Sequence, residues 1–376
     1  MKQTILRFLS KINTEILTMP QSLYDNKNSY EYITQILRKY DFLVKDNYMN
    51  LKGTFQALKG SKQPKITFIC KYDSGSPDGH IYGNNCNATI SIGTAIALSS
   101  IIEKMDFSIE VIGCSGIYSS GPEIILTKEH AFDDSSVIFA PHVDNITSLN
   151  NSSLACTTLE ITYINRSEKP DVNTSCLDFC LHTIHFINQL IEDTSKHCYM
   201  DHLSLRCDNA VREYPTSAKA EFEIKGDSFK ICSEIEDNIR KYIKCLKDIM
   251  NVSCSVSLSK LPCKELLDNS TINKLFENNL KESGLIDINY GKNVIYPLCI
   301  GTVSHSTPTI YPSINICNDN KIHCPSLEFR DQTTTDLAKD NIWKAISALS
   351  FTCIDVIEKR DLISESTWEL NNNLIE

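Results

Sequence analysis

Residues 65–73 read KITFICKYD, a β-branched and aromatic run that halts on the polar step Lys71-Tyr72-Asp73. Its length and composition suit a strand buried on both faces. Beyond it, ATISIGTAIALSSIIEK (88–104) carries small and aliphatic residues at helical spacing. SIEVIG (108–113) repeats the strand signature, a helix is predicted near 122–130, and SVIFA (136–140) supplies the next strand. Alternating β and α within one stretch implies α/β class, a mostly parallel sheet covered by helices. Chemistry then gathers past the carboxyl ends of its strands.

Upstream, 5–17 and 28–40 read as helices. Lys2, Arg7 and Lys11 interrupt the apolar positions of the first, which leaves neither the continuous apolar core nor the small-residue cleavage site of a signal peptide. After about residue 152 the pattern changes to a strand (154–165), a long helix (174–193), strands at 202–209 and 217–225, a helix (228–249) and a strand (252–259), as in a small α+β sandwich. From about 270 the earlier order resumes through YPSINIC (311–317) to a closing helix at 334–358. The expected organisation is a discontinuous α/β domain over 1–152 and 265–366, an inserted domain over 153–264, and a loosely held tail over 367–376.

The bulk properties narrow the function. A chain of 376 residues suits about two domains, and its net charge of −10 argues against nucleic acid as a partner, since a basic footprint supplies most of that affinity. The apolar-rich stretch 345–357 is interrupted by Ser347, Ser350, Thr352 and Asp355 and is too short to span a bilayer. Sixteen cysteines lie scattered without CxxC pairs, so reduced thiols in a cytoplasmic protein are expected. Triplets such as Asn87-Ala88-Thr89 follow from an Asn- and Ser-rich composition and carry no weight as glycosylation sites.

Four blocks, in order, resemble the M20 metallopeptidase and amidohydrolase family, in the branch of the p-aminobenzoyl-glutamate hydrolases and M20-domain dipeptidases. KYDSGSPDGHIYGNN (71–85) resembles the family's EYDALPxxGHxCGHN, and GCSGIYSSGPE (113–123) its GTPAEEGGGGK. AFDDSSVIFAPHVD (131–144) resembles its Phe-Asp, strand, then His. LCIGTVSHSTPTIYP (298–312) resembles its STDxGNVSHxxPxxHP. The resemblance spans nearly the whole chain and implies a catalytic α/β domain with an inserted lid domain that often forms a dimer interface.

The same resemblance implies a site built from several metal ligands and one glutamate base, and here this sequence departs from the pattern. The Cys-Gly-His ligand pair becomes Tyr82 and Asn84, poor zinc ligands beside thiolate and imidazole. The paired glutamates become Ile117 and Tyr118, and an isoleucine cannot supply the proton transfer that a base contributes, typically about 10²–10⁴ in rate. Lys71 replaces the family's glutamate, although Asp73 persists. Cys299 and Thr302 replace the aspartate and asparagine of the fourth block. His142 and His323 match the remaining histidine ligands. In the lid, Arg212-Glu213-Tyr214-Pro215 takes the place of a substrate-contacting Asn-Ile-Ile-Pro, and His202 stands where the lid carries a histidine that reaches a neighbouring subunit's site.

The expected site is therefore a polar, uncharged pocket with Asp73, Tyr82, Asn84, Asn85, Tyr118, His202 and Arg212 as binding residues. His80, Cys114, His142 and His305 are the catalytic candidates if chemistry persists, with Cys86 a further cleft thiol. No cofactor or metal is expected, with His142 and His323 as vestiges of a metal site. Three functions stay open. The first is a non-hydrolytic binding protein for a small amide or peptide-like ligand, a homodimer through the lid. The second is an enzyme of altered, metal-independent amide-forming or acyl-transfer chemistry. The third is a zinc- or manganese-dependent hydrolase of dipeptides or N-acyl amino acids.

Overall fold

The computed structural model describes residues 1–23, 29–74, 76–115, 121–165, 176–194, 197–208, 215–249 and 252–375. The chain divides into two compact units: Met1–Ser152 with Leu267–Asn293 and Thr302–Glu376, and Ser153–Leu266 with Val294–Gly301. The short segment 294–301, expected with the first unit, falls in the second. Strand Asn293–Pro297 pairs with strand Ser152–Asn165 there, and that ladder decides where the segment lies.

The first unit is α/β. Strand Lys65–Lys71 is buried at six consecutive positions and runs parallel to Ser108–Cys114 on one side and Val137–Phe139 on the other. Thr309–Ile310 extends the parallel part beside Val137–Phe139. On the opposite edge stand two antiparallel strands, Leu43–Asp46 and Phe55–Lys59, which the sequence reading did not include. Their short lengths and polar content give little period-two signal.

Helix Asn84–Ser99 combines small, aliphatic and uncharged polar residues and is buried from Asn85 to Ser99. It packs against strand Lys65–Lys71, helix Lys2–Ser22 and helix Asp336–Glu358. Each of its fully buried large side chains, such as Ile90, Ile92 and Leu98, contributes roughly 1.5–3 kcal/mol by leaving water. Helix Lys2–Ser22 is amphipathic as read, with Ile5, Leu9 and Met19 buried.

The expected strand at 311–317 is shorter, Ser313–Asn315, and a separate strand just precedes it. Thr309–Ile310 joins the large sheet, while Ser313–Asn315 pairs in parallel with His142–Asp144 in a smaller one. Pro312 lies between them, and its carbonyl accepts from the His142 N–H at 2.9 Å. The expected tail is also structured. Helix Asp361–Asn373 places Glu369 at the start of helix Ser270–Glu282, where its carboxylate accepts from the backbone N–H groups of Ser270 (2.7 Å) and Thr271 (2.9 Å).

The second unit is an antiparallel sheet in the order Val252–Leu258, Ser152–Asn165, Ser217–Gly226, Cys198–Cys207. Helices Cys176–Asp193 and Phe229–Ile249 pack on it. Leu159, Ile161, Tyr163, Phe222 and Ile224 meet Ile184, Ile187 and Ile239 in its core. This is the α+β sandwich that the strand and helix order predicts.

Candidate functional site

The parallel strands of the first unit deliver their carboxyl ends side by side. Lys71 and Cys114 are register partners at the tips of two of them, and His142 comes three residues after the third ends at Phe139. Gly83 turns the chain into helix Asn84–Ser99 with φ +69°, a left-handed conformation that glycine adopts without strain. The turn sets Asn84 and Asn87 one helical turn apart, on one face.

These groups form a hydrogen-bonded chain. The Val143 backbone N–H donates to Asn87 Oδ1 at 2.9 Å, and Asn87 Nδ2 lies 3.0 Å from Asn84 Oδ1 and 3.3 Å from His142 Nδ1. Asn84 Nδ2 in turn donates to the Asp73 carbonyl at 2.9 Å. The Asp73 carboxylate accepts from the Ser115 hydroxyl at 3.4 Å. His142 is 9% exposed and stacks on Tyr311, with ring centroids 5.3 Å apart and planes 17° from parallel. Its Nε2 is buried with no hydrogen-bond partner among the described residues. Burial pushes its pKa down to about 4; Lys71 and Lys292 push the same way and Asp144 opposes them. The ring is therefore neutral at pH 7.

Charges around the ring come in pairs. Lys71 lies 3.0 Å from Glu123, beside the carboxylate without the alignment of a hydrogen bond, and Lys292 is bonded to Asp144. Lys71 thus has Glu123, from a distant segment, as an ion-pair partner. Asn87, Glu123, Lys292 and Tyr311 did not stand out in the sequence. The i, i+3 spacing of Asn84 and Asn87 was the one available signal, while the other three depend on contacts between distant segments.

Several candidates lie elsewhere. His80 is fully buried with Nε2 2.6 Å from the Leu23 carbonyl, and burial lowers its pKa. Asn85 is also fully buried, its Nδ2 donating to the Pro20 carbonyl and the Thr333 hydroxyl at 3.1 Å each. Both tie elements together and present nothing to solvent. Cys86 and Cys114 are buried, and burial pushes the Cys86 thiol up, away from the reactive thiolate. His305 is half-buried just after helix Cys299–Ser304, Tyr82 is 40% exposed, and His323 is exposed where His142 is buried. His202 belongs to the second unit, on the sheet's edge strand at φ +51° beside a register shift, with Nδ1 3.0 Å from Glu223. Ile117, Tyr118 and Arg212 lie outside the described residues.

A two-cation centre does not fit the described side chains. Both polar ends of Asn84 are engaged, and a donor faces His142 Nδ1 where a metal-ligating histidine would ordinarily give its own N–H to an acceptor. Among the described residues no three or more His, Cys, Asp or Glu side chains are grouped to hold a metal ion.

No family model matches the chain. Among curated proteins it is similar to the mouse (Mus musculus) Xaa-Arg dipeptidase, 20% identical over 325 residues that cover 82% of this chain and 74% of that protein. Among solved structures, a chain from methicillin-resistant Staphylococcus aureus described as an aminohydrolase superposes with a TM-score of 0.77 at 10% identity, covering 95% of this chain and 100% of that one. The aminobenzoyl-glutamate utilization protein of Klebsiella pneumoniae gives 0.69 at 9% identity, over 93% and 98%. Bacillus subtilis YxeP, a dinuclear metal-binding peptidase of the M20 family, gives 0.64 at 10%, over 90% and 98%. The chain has the two-domain M20 fold, as its four sequence blocks imply.

Proposed function

We propose that this protein is a non-hydrolytic member of the M20 fold that binds a small amide or peptide-like molecule in the cytoplasm, without a metal cofactor. The observation that carries the reading is the chain Val143–Asn87–Asn84–Asp73, with His142 joined to it. At the position matching one family ligand stands the neutral amide of Asn84, which Asn87 joins to His142, and one imidazole nitrogen is left to meet a guest. A few fixed polar groups of this kind, with the neighbouring charges paired, suit recognition of a small molecule. Sixteen free cysteines suit a reducing compartment. Among the described residues no helix is long and apolar enough to cross a membrane.

We also place a homodimer contact on the second unit. Its edge strand Cys198–Cys207 exposes Tyr199, Leu203 and Leu205, the kind of unpaired edge that invites a second strand. Mutation of Leu203 and Leu205 to lysine should then yield monomer in sedimentation.

A second reading, metal-dependent hydrolysis of dipeptides, rests on the similarity to Xaa-Arg dipeptidase and to a dinuclear peptidase. One assay separates the two. The purified chain is mixed with alanyl-arginine and with N-acetylalanine in zinc- or manganese-containing buffer. Binding by calorimetry without release of arginine or acetate supports the binding protein, whereas turnover that a chelator abolishes supports the hydrolase.

A further inference from the structure

The proton position on His142 decides whether this buried ring meets a cation or donates to a guest, and groups of fixed chemistry determine it. A backbone N–H only donates, so Val143 N–H identifies the Asn87 atom it meets at 2.9 Å as the carbonyl oxygen. The amide nitrogen of Asn87 is then the atom facing Asn84 Oδ1 and His142 Nδ1. Asn84 is oriented independently, because a carbonyl only accepts and its Nδ2 lies 2.9 Å from the Asp73 carbonyl. Both Asn87 amide hydrogens are thereby assigned, and His142 Nδ1 must accept one of them. A neutral imidazole with an accepting Nδ1 carries its hydrogen on Nε2. That Nε2 belongs to a side chain more than nine-tenths buried, and it has no partner among the described residues.

We infer that Asn87 locks His142 as its Nε2–H tautomer, so that the site takes a neutral oxygen acceptor, an amide carbonyl, in place of a metal ion. A lone pair on Nε2 would be needed for a cation, and the hydrogen occupies that position. A neutral acceptor suits the site better than an anion, because Lys71 is paired with Glu123 and Lys292 with Asp144. The Tyr311 ring stacked on the imidazole holds its plane. Asn87 is thus a positioning residue for His142. The inference rests on the binding-protein reading and names the chemical group its ligand presents.

The test is a two-bond proton–nitrogen correlation spectrum of the full chain labelled at histidine, with His142→Gln assigning the signal. Wild type should show the Nε2–H pattern and no change at His142 on adding zinc chloride. N-acetylglycine methylamide should move the Nε2–H signal downfield, and acetate should not. In Asn87→Asp a carboxylate faces Nδ1, drawing the proton there, and zinc should then shift the ring signals. An Nδ1–H pattern in wild type, a zinc response of wild-type His142, or a response to acetate alone or to neither probe would overturn the inference, and the wild-type spectra suffice should Asn87→Asp not fold. Turnover with wild-type His142 still Nε2–H would defeat only the binding-protein reading. An Nδ1–H ring in a chain that binds without turnover would defeat only this inference.

Discussion

Lys71 Nζ and Glu123 Oε1 stand 3.0 Å apart, with the carboxylate side chain 2% exposed and the lysine 32%. In the blocks this chain resembles, glutamate occupies the position of Lys71 and lysine the position of Glu123. The pair keeps both charges and exchanges their places. The positive charge that Lys71 brings to this strand end is met by the Glu123 carboxylate, so the two charges balance locally.

The exchange gives the first prediction. Glu123→Gln or Lys71→Gln leaves one charge without its partner and should destabilise by roughly 2–3 kcal/mol, below the upper end for buried pairs because Lys71 is partly in water. The double exchange Lys71→Glu with Glu123→Lys should recover most of that loss. Urea denaturation of the three variants measures it, and a double variant no better than the singles contradicts the pairing.

His142 gives a pH dependence. Its pKa falls from an unfolded value of about 6.5 to about 4 in the fold, so the unfolded chain binds the proton more readily between these values. The stability this ring contributes is fully present above pH 6.5 and is lost as the pH falls through 4. From pH 7 to 4 the wild type should lose about 3 kcal/mol more than His142→Gln. Equal losses in parallel denaturation series would show that the ring is not held neutral.

Gly83 is predicted to be indispensable to this geometry. Its φ of +69° is strained for other residues, and an added Cβ would run into the Val143 side chain and come within 3.1 Å of Phe329. Gly83→Ala should cost roughly 1–3 kcal/mol and disturb the Val143–Asn87 hydrogen bond, which the His142 ring signal reports. A stable variant with an unchanged signal would contradict this.

At the carboxyl end, Glu369 caps helix Ser270–Glu282 through Ser270 and Thr271. Glu369→Ala should therefore lower stability by about 1 kcal/mol. A neutral effect on thermal melting would mean that the last helix is not docked.

The parallel strands and the helix after the first of them were legible because burial on both faces writes continuous apolar runs, as in KITFIC and SIEVIG. Even there the apolar reading passed over Glu110, a fully buried carboxyl satisfied by Gln56 and Thr67. The edge strand Leu43–Asp46 was not legible, since four residues with three exposed carry no pattern. At the site, sequence order brought out Asp73, Asn84 and His142, whose blocks adjoin strand ends. Asn87 passed as part of a compositional triplet although it is buried in a helix and joins Asn84 to His142. Lys292 and Tyr311 reach the ring's surroundings from segments far along the chain, and nothing local marks them. His80 and Asn85 misled because they sit inside a site-like block while their side chains point to Leu23, Pro20 and Thr333.

The central claim, that the family's metal positions now bind without metal, is tested most directly by elemental analysis of the purified full chain after dialysis against zinc, manganese or cobalt and then metal-free buffer. Retention of less than roughly half an equivalent is the predicted result, far below the need of a two-metal centre. Retention near two equivalents would contradict the account.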